Sequence, residues 1–226
     1  MKNLQKKNFD IPKIIGALTE EIDNIPRQIR VPLKRNRDRI AFLPFQIESK
    51  FLKNTIDCMK LTDVSALWIS ENFRGKICKH ITNLDEVSKL SKKVDCIVKN
   101  NGKFLAMDMV GHASASFIDS YEHSHKTYRI FGSHPHLKSI SAGLTSYGWK
   151  AENKNPTVLI VGDMTPSQTS KFNAFIKTGA EAFKMVVLAE KEPKLRPKNA
   201  TVLAYKKITG VFYRMCVEVL TSGTLN

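Results

Sequence analysis

The stretch VDCIVKNNGKFLAMDMVG, residues 94–111, decides how the chain is read. Asn101-Gly102 at its centre is the strongest short-range hairpin signal, because both residues tolerate the positive φ that a two-residue type I′ turn demands. With those two residues as the turn, Lys99 faces Phe104, Val98 faces Leu105, Cys96 faces Met107 and Asp95 faces Asp108. Directly opposed residues have Cβ atoms about 4.5–5.5 Å apart, and like charges there are destabilising unless something offsets them. A divalent cation would offset them. Two alternatives stand beside this pairing. A three-residue loop with Gly102 as a bulge would set Asp95 opposite Met107, and the two acids also suit a strand-end cap and a solvated position on a half-exposed sheet.

Upstream of the hairpin, Ile47, Phe51, Leu52, Ile56 and Met59 share one face of a helix predicted over 46–61, which also carries Glu48. Further helices are predicted over roughly 63–73 and 83–93. Residues 1–9 carry Lys2, Lys6 and Lys7 and read as a basic arm. Asp10 and Pro12 then suit the start of a helix running through KIIGALTEEIDNI to Pro26. Downstream, 113–131 has helical spacing, and Pro135 precedes a second helix. Pro156-TVLIVGDM reads as a buried strand, and Thr165-Pro166-Ser167-Gln168 is a capping box that opens a helix to about Lys177. Residues 184–189 supply the next strand, so strand, helix and strand imply a right-handed crossover between parallel neighbours. Residues 201–205 and 211–220 suggest a closing hairpin around Thr209-Gly210. The sum is an α/β fold with a mixed sheet of about five or six strands flanked by helices, spanning 45–226, behind a basic N-terminal helical extension over 1–44.

The chain has 226 residues, of which 42% are hydrophobic, enough for a sizeable core. Its 36 Lys and Arg against 21 Asp and Glu give a formal charge of +15, which predicts affinity for a polyanion, DNA or RNA, with a solvated basic surface as the plain alternative. Arg27, Arg30, Lys34, Arg35, Arg37 and Arg39 fall within thirteen residues, opposed only by Asp38, and arginine forks suit phosphate contacts. No apolar run reaches the roughly 18 residues of a membrane span, so no membrane partner is expected. The N-terminus lacks the apolar core of a secretion signal. Cys58, Cys78, Cys96 and Cys216 are far apart without a CxxC pair, which suits free thiols in a reducing cytoplasm.

Five of the six histidines lie between His112 and His136, and His123/His125 and His134/His136 form two H-x-H pairs. Neutral imidazoles suit Zn²⁺ or Mn²⁺. Residues two apart on a helix diverge, however, and Ser124 and Pro135 are polar or rigid where a strand pair would carry an apolar residue, which favours a histidine-rich surface loop. Arg129 and His134 match a very short ribonuclease spacing. Gly162-Asp163 follows a strand where α/β sheets place functional loops, but no glycine-rich nucleotide motif accompanies it.

An acid entering one strand, a turn, and a second acid near the end of the next strand resemble the PD-(D/E)xK nuclease core over roughly residues 45–165. The resemblance implies that Asp95 and Asp108, with Glu48 from the preceding helix, form a catalytic set holding Mg²⁺ to activate water on a phosphodiester backbone. Val94 stands where that family often has proline, and Val110 where it has its catalytic lysine; Lys103 and Lys126 are the nearest substitutes. The alternative is a non-catalytic DNA- or RNA-binding protein on the same scaffold. Oligomeric state is not legible from the sequence.

Overall fold

A computed structural model describes residues 13–35, 39–121, 125–178, 184–189, 193–195, 197 and 200–223. The expected α/β class is found, but as two five-stranded sheets, each in its own compact unit. Unit 1 comprises the described residues of Met1–Asn83, Asp95–Ala106 and Cys216–Asn226, and unit 2 those of Leu84–Val94 and Met107–Met215.

In unit 1 the chain enters as β1 (Lys13–Thr19), followed by α1 (Arg27–Arg35), β2 (Ile40–Gln46), α2 (Leu52–Lys60), β3 (Val64–Ile69), α3 (Arg74–Ile77) and, after α4 (Glu86–Ser91) of unit 2, the hairpin strands β4 (Cys96–Asn100) and β5 (Lys103–Met107). The sheet order is β2-β1-β3-β4-β5. β1 runs parallel to both β2 and β3, and β4 returns antiparallel to β3. The hairpin turns through Asn101 (φ 48°) and Gly102 (φ 76°), both left-handed as a type I′ turn requires.

The N-terminal extension expected as a helix is therefore not what residues 13–46 form. Lys13–Thr19 is the middle strand of three parallel ones, with Ile15, Ala17 and Leu18 wholly buried. A strand covered on both faces is a continuous apolar run without alternation, the pattern that periodicity cannot tell from a helix. Val64–Ile69, also expected as helix, is β3 for the same reason. The arginine-rich segment is more amphipathic than its composition suggests: Ile29 and Leu33 of α1 are buried four residues apart, and the basic side chains take the other face.

Unit 2 adds α5 (Met109–Asp119), β6 (Thr127–Phe131), α6 (Leu137–Ser146), β7 (Lys150–Ala151), β8 (Val158–Val161), α7 (Pro166–Lys177), β9 (Lys184–Val187), β10 (Thr201–Ala204) and α8 (Tyr205–Ser222), whose last turns belong to unit 1. All pairings in its order β10-β9-β8-β6-β7 are parallel. The capping box at Thr165 and Gln168 opens α7 as expected. Phe131, Leu159, Val161, Phe172, Met185 and Val187 form a core cluster under it. Of the expected closing hairpin, the first strand is found as β10, but residues 205–222 form the single helix α8, and buried Ile208, Phe212, Cys216, Val219 and Leu220 mark its helical face.

Candidate functional site

In unit 1 the carboxyl ends of β1, β2 and β3 meet along one edge, where open α/β sheets place their ligands. Register brings them together: the Ile47 N–H donates to the Thr19 carbonyl at 2.9 Å, and the Ser70 N–H to the Leu18 carbonyl at 3.0 Å. The residues that follow each strand then converge. Glu20, after β1, accepts a hydrogen bond from Ser49 Oγ at 2.7 Å on Oε1 and from Asn72 Nδ2 at 2.9 Å on Oε2. Lys76 of α3 donates to Ser49 Oγ at 2.7 Å and lies 4.0 Å from Glu20 Oε1. The Ser49 and Asn72 donors, with the Lys76 charge, hold the Glu20 carboxyl below its ordinary pKa, so it is an anion at neutral pH. Glu20, Gln46, Ile47, Ser49 and Phe51 border an open cavity of about 890 Å³. The lining offers the Glu20 and Glu48 carboxylates, the Ser49 hydroxyl, the Gln46 amide and the Lys50 ammonium to a polar ligand, while Asn72 and Lys76 are engaged on Glu20 and Ser49.

In unit 2 the connections leave β6 in opposite directions, to β7 on one side and β8 on the other, which makes its carboxyl end a topological switch point. Here Gly132 takes φ 86°. The Ser133 and Asp163 backbones close a bridge, each N–H donating to the other's carbonyl at 2.8 Å. Nearby, Asp85 caps α4 by accepting from the Ser88 N–H at 2.7 Å, and its other oxygen pairs with His112 Nε2. Burial pushes the Asp85 carboxyl up, but the bonds from His112 and Ser88 outweigh it and the net shift is downward. His112 Nδ1 lies 3.4 Å from the Tyr147 hydroxyl.

Each residue singled out in the sequence has a definite place. Asp95 is wholly buried and paired with Arg74, a residue sequence reasoning passed over. Asp108 is wholly buried as the N-cap of α5, with one oxygen accepting from the Gly111 N–H at 3.2 Å. Glu48 is exposed and paired with Lys50 at 2.7 Å. Arg27, Lys34, Arg35 and Arg39 are exposed and Arg30 half-buried, while Arg37, like His123 and the arm over residues 1–9, lies outside the described residues. The Arg129 guanidinium sits over the Phe131 and Phe175 rings, 4.7 and 4.4 Å from their centroids. His134 meets the Tyr205 ring edge-on and His136 stacks against it.

No family model matches the sequence, and no curated protein matches it. Solved structures do match. A shikimate 5-dehydrogenase from Listeria monocytogenes, in complex with shikimate and NAD, superposes with TM-score 0.65 at 12% identity over 93% of this chain and 92% of that one. A shikimate dehydrogenase from Aquifex aeolicus gives 0.62 at 13% over 100% and 96%. A 5-ketofructose reductase from Gluconobacter gives 0.65 at 11% over 96% and 95%. The fold is that of the shikimate dehydrogenases.

This likeness overturns the nuclease resemblance and, with it, the DNA or RNA partner: the structural neighbours are dehydrogenases and reductases of small molecules. The Mg²⁺ expectation is corrected as well. Asp95 has its charge answered by a guanidinium, and among the described residues no group of three or more His, Cys, Asp and Glu side chains is placed to hold a metal. The basic composition is carried by exposed faces such as that of α1. No helix among the described residues is long and apolar enough to cross a membrane.

The fold implies a nicotinamide dinucleotide, whose pyrophosphate sits at a glycine-rich turn, G-x-G-x-x-G, opening the helix after the first strand. The corresponding turn here is Gly132-Ser133-His134-Pro135-His136-Leu137. The first glycine is kept; the second and third are His134 and Leu137. Glu152 lies twenty residues beyond Gly132, where a ribose-binding acid is expected, but its Oε1 accepts from the Lys154 N–H at 2.8 Å. The turn residues do not fit the dinucleotide, and no hydride step is derived.

Proposed function

We propose that the chain binds a small, uncharged, polyhydroxylated molecule, a ketose or cyclitol, at the carboxyl edge of unit 1. The observation that carries this reading is the Glu20 carboxylate held open to the cavity by Ser49, Asn72 and Lys76. A carboxylate accepts from ligand hydroxyls, while amide and ammonium groups donate to ligand oxygens, so the set is complementary to a polyol. A ligand carboxylate is disfavoured, because Glu20 and Glu48 both border the cavity and Lys50, the cation in its lining, is already paired with Glu48. The scaffold supports the same class, since shikimate and 5-ketofructose, named with its neighbours, are small hydroxylated compounds.

Isothermal calorimetry of the full chain against fructose, 5-ketofructose, inositol and shikimate tests this. At least one neutral polyol should bind more tightly than shikimate. Glu20→Gln exchanges a charged acceptor for a neutral one and should weaken that binding roughly tenfold. Binding insensitive to Glu20→Gln, or no polyol binding at all, contradicts the reading.

A second reading, a nicotinamide-dependent oxidoreductase of such a compound, is favoured by Gly132 and by the position of Glu152. The turn between β6 and α6 decides between the two.

A further inference from the structure

We propose that the β6–α6 turn of unit 2 is a self-filled seat, closed to a dinucleotide pyrophosphate by its own histidine side chains. A phosphate at the start of a helix is held by backbone N–H groups that have no other partner, and it reaches them only where no side chain intervenes. At Ser133, Pro135, His136 and Leu137 neither condition is met. The Ser133 N–H donates to the Asp163 carbonyl, Pro135 has no N–H, and the Leu137 N–H donates to the His134 carbonyl at 3.1 Å. The His136 N–H donates to the His134 ring, at Nδ1, at 3.2 Å, so an imidazole nitrogen stands where a phosphate oxygen would accept.

The rings occupy the remaining approach. His134 and His136 lie 5.2 Å apart between centroids, and each packs on Tyr205, at 5.4 and 5.6 Å, the second in a stacked arrangement. Lys93 fastens the turn from outside, its ammonium donating to the Pro135 carbonyl at 2.6 Å. The turn cannot relax by sliding away. A Cβ at Gly132 would come within 2.6 Å of the Asp163 carbonyl oxygen and 2.8 Å of that of Gly162, which shows how tightly the two loops abut. The sheet is also short on this side. β7 has two residues, and residues 152–157, which lead to β8, contain no helix. No nicotinamide dinucleotide is therefore seated in this turn. This inference is independent of the unit 1 reading, whose test uses no nucleotide.

The experiment is a titration of the full-length, ¹⁵N-labelled protein with NAD⁺, NADP⁺ and inorganic pyrophosphate to millimolar concentration, followed by the amide resonances around the turn. The expected result is that the resonances of residues 132–137 stay in place. Saturable shifts in those resonances with a Kd below about 100 µM overturn the proposal. The double substitution His134→Gly with Pro135→Gly restores a donor and removes a ring, and it should tighten NAD⁺ binding at least tenfold over wild type. His136→Ala, which thins the ring stack and leaves the backbone donors in place, should tighten it in the same direction if the double variant does not fold. A folded variant with no gain overturns the assignment of the block to these side chains.

Discussion

Replacing Arg74 with methionine probes the feature that separates this unit 1 from a metal site. Asp95 is wholly buried and the Arg74 side chain is 9% exposed, so the pair lies out of water and neither charge has solvent to fall back on. The surroundings are apolar: burial pushes the Cys216 thiol well above its ordinary value, with Cys96 beside it. Removing one partner of a buried pair leaves an uncompensated charge and costs about 3–5 kcal/mol, whereas removing both in favour of apolar side chains is near neutral. Arg74→Met should therefore destabilise unit 1 by about 3–5 kcal/mol, and Arg74→Met with Asp95→Leu should recover at least about 2 kcal/mol of that loss. The two tryptophans make the measurement specific, since Trp68 lies in β3 opposite Cys96 and Trp149 lies in unit 2. Urea unfolding in a Trp149→Phe background, read by Trp68 fluorescence, reports unit 1 alone. A cost under about 1 kcal/mol for Arg74→Met, strict additivity in the double variant, or stabilisation of the wild type by Mg²⁺ would refute the reasoning.

In unit 2 the sign of pH dependence follows from Asp85. Its folded pKa lies below the unfolded value of about 3.9, so its stabilisation is complete above that value and is lost as pH falls through the folded one. Unfolding read by Trp149 in a Trp68→Phe background should show stability dropping as pH is lowered below about 4, and Asp85→Asn should flatten the profile. Two left-handed glycines should respond unequally to alanine. Gly102 has open space around its Cβ position and should lose about 1 kcal/mol, whereas Gly132 meets the Asp163 and Gly162 carbonyls and should lose well over that, about 2–4 kcal/mol, by the same fluorescence assay.

The parts of the fold legible in sequence are those with local chemistry. Asn101-Gly102 specifies its own turn, and Thr165 with Gln168 caps its own helix, because each depends only on residues within a few positions. Strands β1 and β3 carry no such signal, because burial on both faces erases the alternation that announces a strand. The Thr209-Gly210 pair suggested a turn, yet Gly210 sits in α8 with open space at its Cβ position, so helical packing of Ile208, Phe212 and Cys216 overrides it. The same division governs the site. Asp95 stood out as an acid in an apolar strand, but its partner lies 21 residues earlier, in a segment without a motif. Glu20, Ser49, Asn72 and Lys76 share no local pattern either; parallel register alone unites them. The signal that would have found them is position, since Glu20, Ser49 and Asn72 fall within three residues of a strand's carboxyl end.

The most direct test of the account is where a polyol sits. Titrating the isotope-labelled full chain with the tightest-binding neutral polyol should shift the side-chain amide of Asn72 and the backbone amides of Glu20, Ser49 and Lys76, and leave the Gly132–Leu137 turn unmoved. Shifts confined to unit 2, with the Glu20 cluster silent, would contradict it.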